Sequence, residues 1–252
     1  MTVLDNQTYD MKLKEYIETI DPKKLMLSLP GVILGTMLAA ADFHVNWLAA
    51  AFLVLTVLLL QLIPNAIPGI LCAFAAVHFS YGTLFLLDSF IMLLLGYLVY
   101  RFVRHHSSES GLFRNGLVMT LSTLLVYGVV PVFGTYYVCT HSFGSWILFL
   151  PSCAVGALCM AVRNSDTIDR SRDRAVQIFW IASGLVCMTI YSCLRIFDPW
   201  HFLYILSLPV FIWLIYVMWT GRMPVERYGL ILSAAVLMFA LLSGTGYLIY
   251  LI

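Results

Sequence analysis

Residues 145–195 read SWILFLPSCAVGALCMAV (145–162), RNSDTIDRSRDR (163–174) and AVQIFWIASGLVCMTIYSCLR (175–195). The first and third parts are strongly apolar, whereas the short middle part holds seven charged side chains. An apolar run of about 20 residues is long enough to cross the hydrocarbon core of a bilayer as an α-helix. This stretch therefore predicts two membrane-spanning helices joined by a charged loop.

The same alternation extends along the whole chain of 252 residues. Hydrophobic residues make up 62% of it and charged residues only 11%, compared with about 45–50% and about 25% in soluble domains. This composition predicts an all-α integral membrane protein surrounded mainly by lipid, and a net charge of +1 gives no reason to propose a nucleic-acid partner. The other long apolar runs occupy 25–43, 47–63, 84–103, 112–131, 199–219 and 228–251. A shorter run at 66–81 is either a further span or a continuation of the second helix.

The distribution of Lys and Arg sets the expected number of spans, because cytoplasmic loops collect positive charge. The basic segments are 12–24, 101–114, 163–174 and 222–227. All four can lie on one side of the membrane only if two spans lie between Pro64 and Arg104. We therefore expect about nine transmembrane helices in the inner (cytoplasmic) membrane, with a cytoplasmic N-terminal segment at 1–24 and one polytopic domain at 25–252.

The charged segment between the two apolar runs is the candidate site for chemistry. On a helix, Asp169 and Asp173 are i,i+4 neighbours and Asp166 lies one turn earlier, so three carboxylates share a face. Hard oxygen ligands of this kind suit Mg²⁺, which proteins usually hold through one or two carboxylates plus substrate phosphates. Interleaved arginines could bind the same phosphates in bidentate fashion. Those arginines are Arg170, Arg172 and Arg174.

A simpler interpretation of this segment needs no ligand. Short charged loops are usual in membrane proteins, where arginines fix the topology and acidic side chains pair with them. The segment's composition alone favours this interpretation over a binding site.

Several segments resemble the UbiA superfamily of membrane prenyltransferases, and most closely its 1,4-dihydroxy-2-naphthoate prenyltransferases of menaquinone synthesis. Residues 28–40 (SLPGVILGTMLAA) are similar to the first helix of that family, and 46–61 are similar to the second. The segment PVFGTYYV (131–138) resembles one that precedes the sixth helix, and 164–174 falls where the second aspartate-rich motif belongs. Together these segments cover most of the chain in the right order, and nine helices is also the family's architecture.

The resemblance implies a helical bundle around a central cavity that is open to lipid. In such enzymes two cytoplasmic aspartate-rich motifs hold Mg²⁺ and a polyprenyl diphosphate, whose diphosphate leaves before an aromatic acceptor attacks the allylic cation. Asp169 and Asp173 stand at the D-x-x-x-D positions of the second motif, and Asp166 stands where an asparagine is usual. By resemblance these three acids are metal ligands. The implied diphosphate contacts are Asn65, Arg170, Arg172 and Arg174.

The first aspartate-rich motif, N-D-x-x-D after the second helix, is missing from this chain. The sequence there is LIPNAIPGILC (62–72), in which Asn65 matches an asparagine of the family but no carboxylate follows. Loss of one metal's ligands removes roughly several kcal/mol of the charge stabilisation that diphosphate departure needs. The sequence is therefore compatible both with an active enzyme and with a relative that has lost the usual mechanism.

Two functions follow from these observations. The first is transfer of a polyprenyl group from its diphosphate to 1,4-dihydroxy-2-naphthoate or a similar aromatic acceptor. The second is a catalytically degenerate relative that keeps the bundle as a polyprenyl-binding protein or a partner membrane subunit. A small transporter would need repeated segments and polar breaks near the bilayer midplane, and neither is evident in the sequence.

Overall fold

The computed structural model describes residues 22–62, 67–81, 120–121, 123–142, 144–165, 171–195 and 199–249. Every regular element in these ranges is helical, as the composition predicts. The α-helices, numbered along the chain, are α1 (Pro22–Asp42), α2 (Trp47–Leu62), α3 (Ile67–Tyr81), α4 (Val130–Thr140), α5 (Phe149–Asn164), α6 (Ser171–Arg195), α7 (Leu208–Thr220) and α8 (Val225–Ile249). A π-helix (Leu124–Val129) leads into α4, and 3-10 helices precede α5 (Trp146–Leu148) and α7 (Pro199–Ser207).

Four stretches of the described chain are long and apolar enough to cross a membrane. They are Trp146–Asn164, Arg174–Arg195, Phe202–Thr220 and Arg227–Gly246. Four further apolar helices are shorter, namely Leu29–Asp42, Trp47–Leu59, Ile67–Ser80 and Leu124–Thr140. At 1.5 Å per residue, a helix of 15 residues spans only about 22 Å of a hydrocarbon core about 30 Å thick. The structure thus supports a helical membrane protein, and the expected total of nine spans stays a prediction.

The short apolar run at 66–81 is a helix of its own. The side-chain amide of Asn46, just before α2, donates a hydrogen bond of 2.9 Å to the Phe79 carbonyl near the end of α3. The same asparagine accepts a hydrogen bond of 3.0 Å from the Leu48 backbone N–H and so caps the start of α2. The start of α2 therefore lies beside the end of α3, so that the two helices form an antiparallel hairpin rather than one continuous helix.

The predicted span at 112–131 ends too early, because the helix continues through Pro131 to Thr140. A proline normally interrupts a helix because it lacks an N–H and its ring clashes with the preceding turn. Here Pro131 is the second residue of α4, directly after the π-helix, where the Val130 N–H bonds to the Leu125 carbonyl five residues earlier. The wider π turn accommodates the proline, which is why the sequence pattern placed the boundary at the wrong residue.

Side-chain hydrogen bonds show which helix ends lie together. At one end of the bundle, Asp42 of α1 contacts both Tyr136 of α4 and Arg195 of α6. Ser80, near the end of α3, donates to the Val138 carbonyl of α4 at the same end. We call this the Asp42 end.

The opposite end holds four of the five arginine side chains that the structure describes. Arg163, at the end of α5, donates a hydrogen bond of 2.7 Å to Thr123, which precedes the π-helix. Arg174, near the start of α6, donates one of 3.3 Å to the Trp219 carbonyl at the end of α7. The arginines of this end, which we call the arginine end, are Arg163, Arg174, Arg222 and Arg227. Arg163 and Arg174, which begin and end the charged segment at 163–174, therefore lie at the same end of the bundle as Arg222 and Arg227, as the charge pattern predicts.

Small residues bring the helices close together in the core. A Cβ added at Gly35 of α1 would lie 2.6 Å from the Val132 carbonyl oxygen of α4, and one at Gly184 of α6 would lie 2.9 Å from the Ala154 carbonyl oxygen of α5. Close approach through small residues is the usual way in which helices associate within lipid. The largest fully buried side chains of the described residues are Tyr191, Tyr204, Phe211, Phe239, Leu34, Leu38, Leu158, Ile181, Met188, Leu214 and Leu232.

Candidate functional site

The structure places part of the predicted aspartate-rich site at the arginine end. Arg172 and Asp173 lie in the first turn of α6, which begins at Ser171, although their side chains are outside the described part. Arg174 follows them and is the predicted site residue whose side chain the structure describes. The other predicted site residues, which are outside the described residues, are Asn65, Asp166, Asp169 and Arg170.

Arg174 is half-buried between α6 and α7. Its Nη1 atom donates to the Trp219 carbonyl, and its Nε atom is buried without a hydrogen-bond partner. A buried N–H without an acceptor costs about 1–3 kcal/mol, more when the group is charged. The guanidinium therefore keeps an unused donor that an anionic oxygen would satisfy.

Two buried polar side chains, Gln177 and Tyr228, lie at the same end of the bundle as Arg174. Gln177, one turn along α6, donates from Nε2 to the Ala161 carbonyl of α5 at 2.5 Å, while its Oε1 atom has no hydrogen-bond partner. The hydroxyl of Tyr228, on α8, faces the Gln177 side chain but does not reach hydrogen-bond geometry with it. Four helices, α5 to α8, thus meet around three polar side chains whose hydrogen-bonding capacity is only partly used.

Sequence reasoning missed Gln177 and Tyr228. The sequence does hold a signal for Gln177, because this residue lies four positions after Asp173 and therefore on the same face of α6. Tyr228 offers no comparable signal, since it is one of 14 tyrosines and reaches the site only through the packing of α8.

The chemistry of the described groups at this end suits an anion. Arginine guanidinium and tyrosine hydroxyl groups donate hydrogen bonds to phosphate oxygens, and Arg matches the geometry of a phosphate especially well. Within the described ranges, no group of three or more His, Cys, Asp or Glu side chains could hold a metal ion. The side chains of Asp166, Asp169 and Asp173, which the sequence resemblance implies as Mg²⁺ ligands, are outside the described part.

A second polar cluster lies at the Asp42 end, and the sequence did not reveal it. Asp42 accepts a hydrogen bond of 2.7 Å from the Tyr136 hydroxyl on one carboxylate oxygen and forms an ion pair with Arg195 on the other. The Arg195 guanidinium also lies over the Tyr191 ring, 5.9 Å from its centroid. Asp42 is the one acidic residue whose side chain falls within the described part of the chain.

A histidine in the loop after α4 lies at the same end. Burial lowers the pKa of His141 below its ordinary value, and a hydrogen bond with the Ser80 backbone partly offsets this shift. His141 is therefore predominantly neutral at pH 7 and adds little positive charge near Asp42.

Comparison with known proteins identifies no relative. No family model matches the chain, and no curated protein or solved structure is significantly similar to it.

Proposed function

We propose that the chain is a UbiA-type membrane protein that binds a polyprenyl diphosphate at its arginine end. In this proposal it transfers the polyprenyl group to 1,4-dihydroxy-2-naphthoate or a similar aromatic acceptor in menaquinone-type quinone biosynthesis. It spans the inner membrane about nine times, around a central lipid-accessible cavity and with a cytoplasmic N-terminus. The sequence resemblance motivates this proposal, and the partly unsatisfied polar cluster of Arg174, Gln177 and Tyr228 is the structural observation that carries it.

The polar cluster supports a phosphate-binding role because of its position and its unused donors. It adjoins the first turn of α6, where Asp173 and Arg172 lie. The buried Nε atom of Arg174 and the hydroxyl of Tyr228 both lack partners, and both are donors. A diphosphate group would supply the missing acceptors, and the apolar helices around the cluster would surround the polyprenyl chain.

The described side chains fit the phosphate better than the metal. Arg174 and Tyr228 present N–H and O–H groups, and Gln177 Oε1 is the one buried side-chain oxygen acceptor described at this end that has no hydrogen-bond partner. Mg²⁺ would be held by Asp166, Asp169 and Asp173, and when bound it would neutralise charge on the diphosphate. The role of this chain's own residues is then to orient the diphosphate through Arg174 and its neighbours.

A degenerate, non-catalytic relative is the second candidate. It is favoured by the sequence LIPNAIPGILC (62–72), which contains no carboxylate where the first motif belongs. A protein of this kind would bind polyprenyl diphosphate through the arginine end without cleaving it, either as a polyprenyl-binding protein or as a partner subunit.

Binding and turnover must be measured separately to distinguish these functions. The purified protein in lipid nanodiscs is mixed with a labelled polyprenyl diphosphate, Mg²⁺ and 1,4-dihydroxy-2-naphthoate. The transferase proposal expects prenylated product that disappears in Asp169→Ala and Asp173→Ala, and tighter binding by the wild type than by Arg174→Gln. Arg222→Gln is the matched control, because Arg222 is exposed at the same end and lies over the Tyr216 ring. Binding without product beside an active family enzyme would support the degenerate candidate, and absence of binding would refute both.

A further inference from the structure

The Asp42 carboxylate joins three helices at the end of the bundle opposite the proposed diphosphate site. Asp42 is the last residue of α1, Arg195 is the last residue of α6, and Tyr136 lies within α4. One carboxylate oxygen accepts the Tyr136 hydroxyl, and the other accepts the Arg195 guanidinium. The two oxygens thus bind two different helices at the same time.

This ion pair connects helices that otherwise have little contact. α1 packs against α2, α4, α5 and α8, whereas α6 packs mainly against α5. Among the described residues, few other interactions therefore hold the end of α6 directly against the end of α1. When the pair breaks, the ends of α1 and α6 are held together mainly indirectly, because each of the two helices packs against α5.

Asp42 and Arg195 each need the other's charge, because both side chains are partly buried. The side chain of Asp42 is 20% exposed and that of Arg195 is 30% exposed, so each charge has lost much of its hydration. A partly desolvated charge is unfavourable once its partner is removed. Within the described part of the chain, the titratable side chains around this pair include Tyr136 on α4, Tyr191 beneath Arg195, His44 after α1 and His141 after α4. None of them carries the negative charge that would replace Asp42.

We propose that Asp42, Tyr136 and Arg195 form a latch that closes the Asp42 end of the bundle. With the latch formed, the ends of α1, α4 and α6 are held together and the interior behind them is shut off from the aqueous phase. With the latch broken, the end of α6 separates from α1 and water reaches the buried face of α4. The latch is independent of any ligand at the arginine end.

Cys139 is a native reporter for this opening. It lies on α4 one turn after Tyr136 and is buried, with 6% of its surface exposed. Its thiol forms no disulfide, and because it is buried we expect it to react with a maleimide when the Asp42 end opens. For a measurement at this site alone, the other cysteines are replaced by serine. These are Cys72, Cys153, Cys159, Cys187 and Cys193.

The rate of Cys139 labelling by a membrane-impermeant maleimide tests the latch in nanodiscs, well below the melting temperature. Asp42→Asn and Arg195→Gln should each raise the rate by about tenfold or more, since local opening becomes easier. Tyr136→Phe should raise it less, because the ion pair survives. The double variant Asp42→Arg with Arg195→Asp restores the pair in reverse and should return the rate toward that of the wild type. Arg163→Gln, at the arginine end, is the control and should leave the rate unchanged.

Each result bears directly on the proposal. Unchanged labelling in folded Asp42→Asn and Arg195→Gln refutes the latch, and so does a reversed pair that labels as fast as the single variants. If a single variant does not give a monodisperse folded protein, Tyr136→Phe and the reversed pair decide the question by the same rates. A buried control distinguishes a latch from a general effect on stability. Cys159, retained as the single cysteine, is buried near the arginine end. If the pair is a latch, Asp42→Asn and Arg195→Gln should label faster at Cys139 without a matching rise at Cys159.

Discussion

Gly31 of α1 lies against Pro131 of α4 so closely that a Cβ at Gly31 would be 2.8 Å from both Cβ and Cγ of the proline. The same Cβ would lie 3.2 Å from the Tyr127 carbonyl oxygen, four residues before the proline. Pro131 has no N–H to donate to that carbonyl, and the absence of a side chain at Gly31 lets the two backbones meet there. Gly31 and Gly35 are spaced by four residues and face the same helix, which is the small-residue pattern of close helix packing in membranes.

Substitution at this contact should destabilise the bundle. Gly35→Ala places a Cβ against the Val132 backbone, which cannot move aside as a flexible side chain can. Overpacking of this kind costs about 1–3 kcal/mol, so we expect a lower melting temperature for the purified protein. The matched control is Gly134→Ala, because a Cβ at Gly134 meets no atom within 4 Å. Equal melting temperatures for the two variants would contradict the close α1–α4 contact.

The Tyr228 hydroxyl should contribute nothing favourable to stability. It is buried without a hydrogen-bond partner, and leaving such a group unsatisfied costs about 1–3 kcal/mol. Tyr228→Phe should therefore keep or raise the melting temperature. Tyr204→Phe is the comparison, because the buried Tyr204 hydroxyl donates a hydrogen bond of 2.8 Å to Thr189, and its loss should cost about 1 kcal/mol.

The same pair of variants also tests the proposed ligand site. If the Tyr228 hydroxyl binds a phosphate oxygen, Tyr228→Phe should weaken polyprenyl diphosphate binding although it does not weaken the fold. Tyr204→Phe should lower the melting temperature and leave polyprenyl diphosphate binding unchanged. A Tyr228→Phe protein that binds the diphosphate as tightly as the wild type would remove Tyr228 from the site.

The Asp42 and Arg195 side chains should be energetically coupled. Exposed ion pairs contribute at most about 1 kcal/mol, whereas breaking a buried pair costs about 3–5 kcal/mol. With both side chains partly exposed, we expect a coupling free energy of about 1 kcal/mol from a double-mutant cycle of Asp42→Asn and Arg195→Gln. Unfolding in mixed detergent measures it, and purely additive effects would show that the pair contributes no net stability.

The two ends of the bundle should face opposite sides of the membrane. Cys193 is exposed and lies two residues before Arg195, at the Asp42 end. With the arginine end in the cytoplasm, an impermeant maleimide added outside intact cells should label Cys193 as the only retained cysteine. A cysteine introduced as Arg222→Cys should react only after the membrane is permeabilised. The opposite pattern would reverse the proposed orientation.

Most helix positions follow from hydropathy alone. The apolar runs at 145–163 and 228–251 correspond closely to α5 and α8, because long apolar segments leave a chain little alternative to a helix within lipid. The run at 66–81 was ambiguous because hydropathy does not show where a helix reverses. The Asn46 contact with Phe79 settles it, and no local pattern in the sequence predicts that contact.

The polar clusters could be predicted only in part. Asp173 and Arg174 were noticed because they are adjacent in a charged segment, whereas Asp42 and Arg195 are 153 residues apart and each is an isolated charge at the end of an apolar run. Pairing across such a separation depends on tertiary packing. The aspartate-rich pattern therefore predicts a site at the arginine end, whereas no local pattern predicts the cluster at the Asp42 end.

The π-helix before α4 gives the chain an unusual tolerance to a change of length. A π turn holds one more residue than an α turn, so it carries an extra residue without rotating the helix faces on either side. Removal of one residue from Leu124–Val129, other than the closely packed Gly128, would leave an ordinary α-helix with its faces in register. A deletion within α5 or α6 would instead rotate every later contact by about 100°. Among related sequences, alignment gaps of a single residue should accordingly be found at this turn and be rare in the long helices.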